Sequence, residues 1–122
     1  DGLTLPKGSY AEIFNTNSTE MFVALARKQR KIDFLHLDGR LQEKDIKMLK
    51  LLMKEDTIIA LDDCVSNEKG HANLGILQAS GIVKNYLFIE PFSKDIFRLW
   101  GLESYSTTGI LVPMSFVQFT RQ

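Results

Sequence analysis

Short apolar runs alternate along the chain with stretches of helical periodicity. Ser9-Tyr10-Ala11-Glu12-Ile13-Phe14 reads as a strand, closed by the polar Asn15-Thr16-Asn17-Ser18. Asn17, with Glu20 three positions on, forms a capping-box pattern, and Met21, Ala24 and Leu25 then fall on one helical face. Lys28, Arg30 and Lys31 gather where cations suit the end of a helix. Ile32 to Gly39 reads as the next strand. Its centre is apolar at nearly every position, as in a strand covered on both faces. Gln42 to Lys54 has the periodicity of a helix, with Ile46, Leu49 and Met53 inward and lysines outward. Thr57 to Leu61 is a second strand expected to be buried on both faces, ending in Asp62-Asp63. A helix is expected over Ala72 to Ser80, stopped by Gly81. Val83 to Ile89 reads as a strand ended by Pro91, and the tail holds two further apolar runs, Gly109 to Val112 and Phe116 to Phe119, separated by Pro113.

Strands alternating with helices of this length predict βαβ units and an α/β fold. The expected architecture is a three-layer sandwich around a mostly parallel sheet. The last strands follow one another without a long intervening helix, so an antiparallel C-terminal strand is expected. At 122 residues the chain is read as one domain, 1–122. Its formal net charge of zero gives no electrostatic reason to expect nucleic acid or an anionic membrane as partner. No apolar run approaches the roughly 20 residues that a bilayer crossing needs. The opening Asp1-Gly2-Leu3-Thr4-Leu5-Pro6 lacks the pattern of a signal peptide. Cys64 is the only cysteine, which excludes an internal disulfide framework. A cytoplasmic location is expected.

In an open parallel sheet, ligands bind beyond the carboxyl ends of the strands. The residues there are Asn15 to Ser18, then Asp38-Gly39, then Asp62-Asp63-Cys64. Consecutive strands joined by one helix are usually neighbours, which would bring the three carboxylates together. Such a cluster repels itself unless something positive sits in it. A divalent cation is one answer; the other is that these aspartates only cap loops. His36, inside a strand, reads as a packed residue. His71, placed just before a helix near the cluster, is either a solvated loop histidine or a general base, since histidine titrates near neutrality. Cys64 has no partner for nucleophilic chemistry. Phe92, Phe97 and Trp100 either cover the edge of the sheet or line a substrate cavity.

The segment Lys31-Ile32-Asp33-Phe34-Leu35-His36-Leu37-Asp38-Gly39, a helix, then Thr57-Ile58-Ile59-Ala60-Leu61-Asp62-Asp63 resembles the fourth and fifth strands of class I, Rossmann-like, S-adenosylmethionine-dependent methyltransferases. The nearest likeness is to the metal-dependent O-methyltransferases of the macrocin and cephalosporin-tailoring kind. The resemblance covers nearly the whole chain from Ser9 and implies S-adenosylmethionine as donor and a small-molecule or sugar hydroxyl as acceptor. It implies Asp38, Asp62 and Asp63 as ligands of Mg²⁺, which would hold and acidify the acceptor hydroxyl. Asn17, Ser18 and Asp38 become cofactor-binding residues, and Asp38 and His71 catalytic ones. Arg40 stands where such enzymes often carry a second acidic residue, so a guanidinium is the alternative occupant of the cluster.

Thr108 to Pro113 and Phe116 to Thr120 are similar to the family's terminal strand pair. In the family's strand order, 3-2-1-4-5-7-6, the first two strands carry the glycine-rich donor-binding turn and the ribose-binding acid. Neither appears in this sequence. The implied picture is an incomplete methyltransferase domain, inactive alone, whose Ile32 to Leu37 strand is a bare edge and whose partner is the remainder of the parent chain or another copy. Two other readings stay open: a non-enzymatic α/β interaction domain, and a metal-dependent nucleotide-sugar transferase.

Overall fold

A computed structural model of the chain describes residues 11–12, 14–64, 69–90, 99–101 and 107–117. Among them the order of elements is α1 (Ser18–Arg27), β1 (Ile32–Leu37), α2 (Ile46–Leu52), β2 (Met53–Asp62), α3 (Lys69–Ser80), β3 (Tyr86–Ile89) and β4 (Thr108–Pro113). The strands form one sheet in the order β1-β2-β4-β3. β1 and β2 are parallel, and β4 lies antiparallel to both β2 and β3. The fold is α/β with a mixed sheet, its antiparallel strand inserted between two that run the same way.

Register and burial together assign the two faces. Leu35 and Leu37 stand opposite Ile59 and Leu61, which stand opposite Leu111 and Gly109. That face is buried, and it joins Phe22 of α1, Leu49 and Leu52 of α2, and Leu74 and Leu77 of α3 in a single core. All three helices therefore pack on one side of the sheet. The opposite face carries Phe34, Ile58, Ile110, Val112, Leu87 and Ile89, equally apolar by alternation. Here Phe34 is 57% exposed, Ile89 50% and Leu87 41%. Among the described residues there are thus two layers, and the second layer of helices expected for a sandwich is not among them. β1 accordingly has one covered face instead of the expected two, and His36 is exposed on the open face instead of packed.

Several boundaries differ from the sequence expectation for local reasons. The helix predicted over Gln42 to Lys54 begins as a 3-10 turn, Glu43–Asp45, and α2 stops at Leu52. Met53 and Lys54 already belong to β2, whose first residues bulge out of register between Ile32↔Met53 and Phe34↔Ile58. Thr57 holds that irregularity: its buried hydroxyl donates to the Ile32 carbonyl (2.5 Å) and accepts from the Lys54 amide (2.8 Å). The helix expected from Ala72 starts at Lys69. Residues 81–85 form a turn that buries Val83, so the strand expected from Val83 begins at Tyr86. Phe116 belongs to a 3-10 turn instead of a strand. The predicted strand at Ser9 to Phe14 and the end of the run at Phe116 to Phe119 fall largely outside the described residues; Ala11, Glu12 and Phe14 are in no strand. No helix among the described residues is long and apolar enough to cross a membrane.

Candidate functional site at the carboxyl ends of β1 and β2

The parallel pairing sets Leu37 opposite Leu61, so the chain leaves both strands at the same end of the sheet. Asp38 follows one strand and Asp62-Asp63 close the other. One carboxylate oxygen from each lies within 4.8 Å of the others. Asp63 adopts φ +54°, in the left-handed region that aspartate tolerates better than most residues. That turn sends the backbone back toward α3, and the Asp63 carbonyl accepts from the Gly70 amide at 3.0 Å.

Among the described residues, Lys69, the first residue of α3, brings a positive charge into the cluster. Its Nζ lies 2.8 Å from Asp38 Oδ1, 2.9 Å from Asp63 Oδ2 and 2.6 Å from the Asp38 carbonyl. The hydrogen bond from Lys69 holds the Asp38 carboxyl below the usual carboxylate range, helped by a hydrogen bond with Asp62 and by the Lys69 charge. The same bonds to Asp38 and Asp63 push the Lys69 ammonium up from its ordinary value. Thr108 reaches Asp62 from the neighbouring strand, its hydroxyl 3.4 Å from Oδ1.

The backbone around the cluster is fixed by residues that the sequence pattern does not single out. Asn73 is buried, its Oδ1 accepting from the Leu41 amide (2.7 Å) while Nδ2 donates to the Gly39 carbonyl (2.8 Å). It fastens the loop after Asp38 to α3. At Gly70 the helix passes so close to the end of β2 that only a hydrogen fits. Cys64 is buried there, its thiol donating to the Leu61 carbonyl at 3.3 Å, and desolvation pushes that thiol up.

His71 sits inside the first turn of α3, not in the loop before it. It is half-buried, with Nε2 3.0 Å from the Cys64 carbonyl. In the tautomer that donates this bond, Nδ1 is left as the basic ring atom. Asn17 caps α1, its side-chain oxygen accepting from the Glu20 amide at 2.8 Å. Ser18 lines a cavity of about 160 Å³ together with Phe22, Leu37, Asp38, Arg40 and Leu41. The fold therefore brings Ser18 and Asp38 to one cavity and Asp38, Asp62 and Asp63 to one cluster. A wider groove, about 610 Å³, opens at the far end of the sheet by Lys50, Lys84 and Tyr86 and gathers none of the expected residues. Trp100 is exposed, and Phe92 and Phe97 lie outside the described residues. No protein-family model matches this chain, and no curated protein matches it.

Proposed function

We propose that this chain supplies the C-terminal strands of a Rossmann-like, S-adenosylmethionine-dependent methyltransferase domain acting on a hydroxyl of a small molecule or sugar. The observation that carries the reading is the sheet. The order β1-β2-β4-β3, with β4 antiparallel between its neighbours, corresponds to the last four strands of the order expected for that family. The open apolar face, and a β1 edge with no strand partner among the described residues, are what a domain deprived of its first strands and their helices would leave.

In this reading the donor's adenosine end meets the cavity between α1 and β1, where Ser18 offers a hydroxyl and Asp38 an acceptor. Asn17 supports that wall by capping α1. The acceptor oxygen attacks the donor's methyl carbon in line with the departing sulfur. The C–O bond forms as the C–S bond breaks, and the electron pair leaves on a neutral thioether. The hydroxyl proton passes to His71 Nδ1, while the Cys64 carbonyl holds Nε2 and fixes the ring. Asp38 is the poorer base, because its carboxyl is held low. The Mg²⁺ implied by the resemblance does not fit the cluster as arranged, since the Lys69 ammonium lies between Asp38 and Asp63. We place the enzyme in the cytoplasm.

The test is calorimetric titration of S-adenosylhomocysteine into the intact protein that contains this chain, beside its Ser18→Phe variant, which fills the cavity. Saturable binding by the wild type, weakened at least about tenfold in the variant, is the expected result. No binding by the wild type would replace this reading with that of an α/β interaction domain, which the same open apolar face favours.

A further inference from the structure

We propose that the Lys69 ammonium is the resident cation of the Asp38–Asp62–Asp63 cluster, clasping the loop after β1 to the turn after β2 and closing the cluster to divalent metal ions. A lysine ammonium has three donors and no acceptor. At Lys69 each donor has a partner within bonding distance: the Asp38 carbonyl, Asp38 Oδ1 and Asp63 Oδ2. These are charge-assisted bonds, the strong class. The root of the side chain is held as well, because the first turn of α3 is pinned from several sides. Gly70 donates to the Asp63 carbonyl, His71 bonds the Cys64 carbonyl, and Asn73 grips Gly39 and Leu41.

A Mg²⁺ ion demands octahedral oxygen ligands at about 2.0–2.1 Å. To take Asp38 and Asp63 it must evict the ammonium and break all of its bonds. An ion bound beside Lys69 would instead meet a like charge a few ångströms away. Among the described residues, the ion pairs to Asp38 and Asp63 come from Lys69, some thirty residues beyond the Arg40 that the sequence suggested as the alternative occupant. The inference rests on the geometry of the cluster and stands whatever the donor substrate.

The experiment titrates Mn²⁺ into the full chain, followed by electron paramagnetic resonance, for the wild type, Lys69→Met and Lys69→Met/Asp38→Asn. Methionine keeps an unbranched stem and removes the charge. Lys69→Met is expected to bind Mn²⁺ at least about tenfold more tightly than the wild type, and Asp38→Asn to abolish the gain. Equal binding by wild type and Lys69→Met, or no gain in Lys69→Met, overturns the proposal. A second measurement needs no variant: the ¹⁵N signal of Lys69 Nζ should be protected from water exchange and unmoved by millimolar Mg²⁺. An ammonium that exchanges freely, or one displaced by Mg²⁺, overturns it equally.

Discussion

A methyl group added at position 70 would stand 2.4 Å from the Asp62 carbonyl oxygen, 2.6 Å from Cys64 Sγ and 2.7 Å from the Asp63 carbonyl. Two of those neighbours are backbone and cannot swing aside. Gly70→Ala should therefore destabilise the fold by about 1–3 kcal/mol, the usual range for overpacking, measured by urea denaturation. A substitution that leaves the midpoint unchanged would mean that α3 does not approach β2 this closely. The same contact shows what could be read from residues alone. Asp38, Asp62 and Asp63 were legible because parallel strands ending in acids place them at one edge by topology. Lys69 and Asn73 were not, since their roles arise only when the chain doubles back at Asp63 and sets α3 against a loop more than thirty residues earlier. A lysine and an asparagine on a helix carry no such signal. The sequence pattern puts His71 in a loop before the helix, because the helix start at Lys69 is marked by no apolar period of its own.

At the scale of the element, local signals worked where they were chemical and failed where they depended on what covers a surface. The Asn17 cap predicted the start of α1. Continuous apolar character at β1 predicts two covered faces, yet among the described residues only the Leu35 and Leu37 side is covered, and Phe34 and His36 are exposed on the other. The Ile46, Leu49 and Met53 spacing extends the predicted helix past its end, because Thr57 reaches back to Lys54 and Ile32 and draws those residues into the sheet. The C-terminus of α1 offers a direct test of such bookkeeping by local chemistry. Arg30 donates to the Leu25 carbonyl and Gln29 to that of Ala26, which is a Schellman motif, with Gln29 at φ +55° where glycine is the usual occupant. Left-handed backbone costs a residue with a Cβ about 1–2 kcal/mol, partly offset by the greater freedom of glycine in the unfolded chain. Gln29→Gly is thus expected to stabilise the protein by about 0.5–1 kcal/mol in thermal or chemical denaturation. Destabilisation would show that the Gln29 side chain supports the fold in some way that the C-cap geometry does not require.

For the molecule as a whole, the asymmetry of the sheet decides how it behaves in water. One face is sealed by α1, α2 and α3, and the other presents Phe34, Leu87 and Ile89 to solvent across strands that are paired through Ile58, Ile110 and Val112. Solvated sheet faces are normally polar, and here, His36 apart, the open face carries mainly apolar side chains. A largely apolar surface of this kind, bordered by a strand edge with no partner among the described residues, favours association. These side chains contribute little to the fold of the described residues, because they are already wet, and surface changes usually alter stability by less than about 0.5 kcal/mol. Phe34→Thr/Ile89→Thr puts a β-branched residue of good strand propensity at both positions while removing large apolar projections. The expected outcome is a lower tendency to self-associate in analytical ultracentrifugation and weaker binding of a hydrophobic dye, with an unfolding midpoint close to that of the wild type. A collapse of stability would instead show that the face is already covered and belongs to the core. The two outcomes separate a sheet awaiting another layer from one that is complete, and the first is what a domain continued by further strands and helices requires.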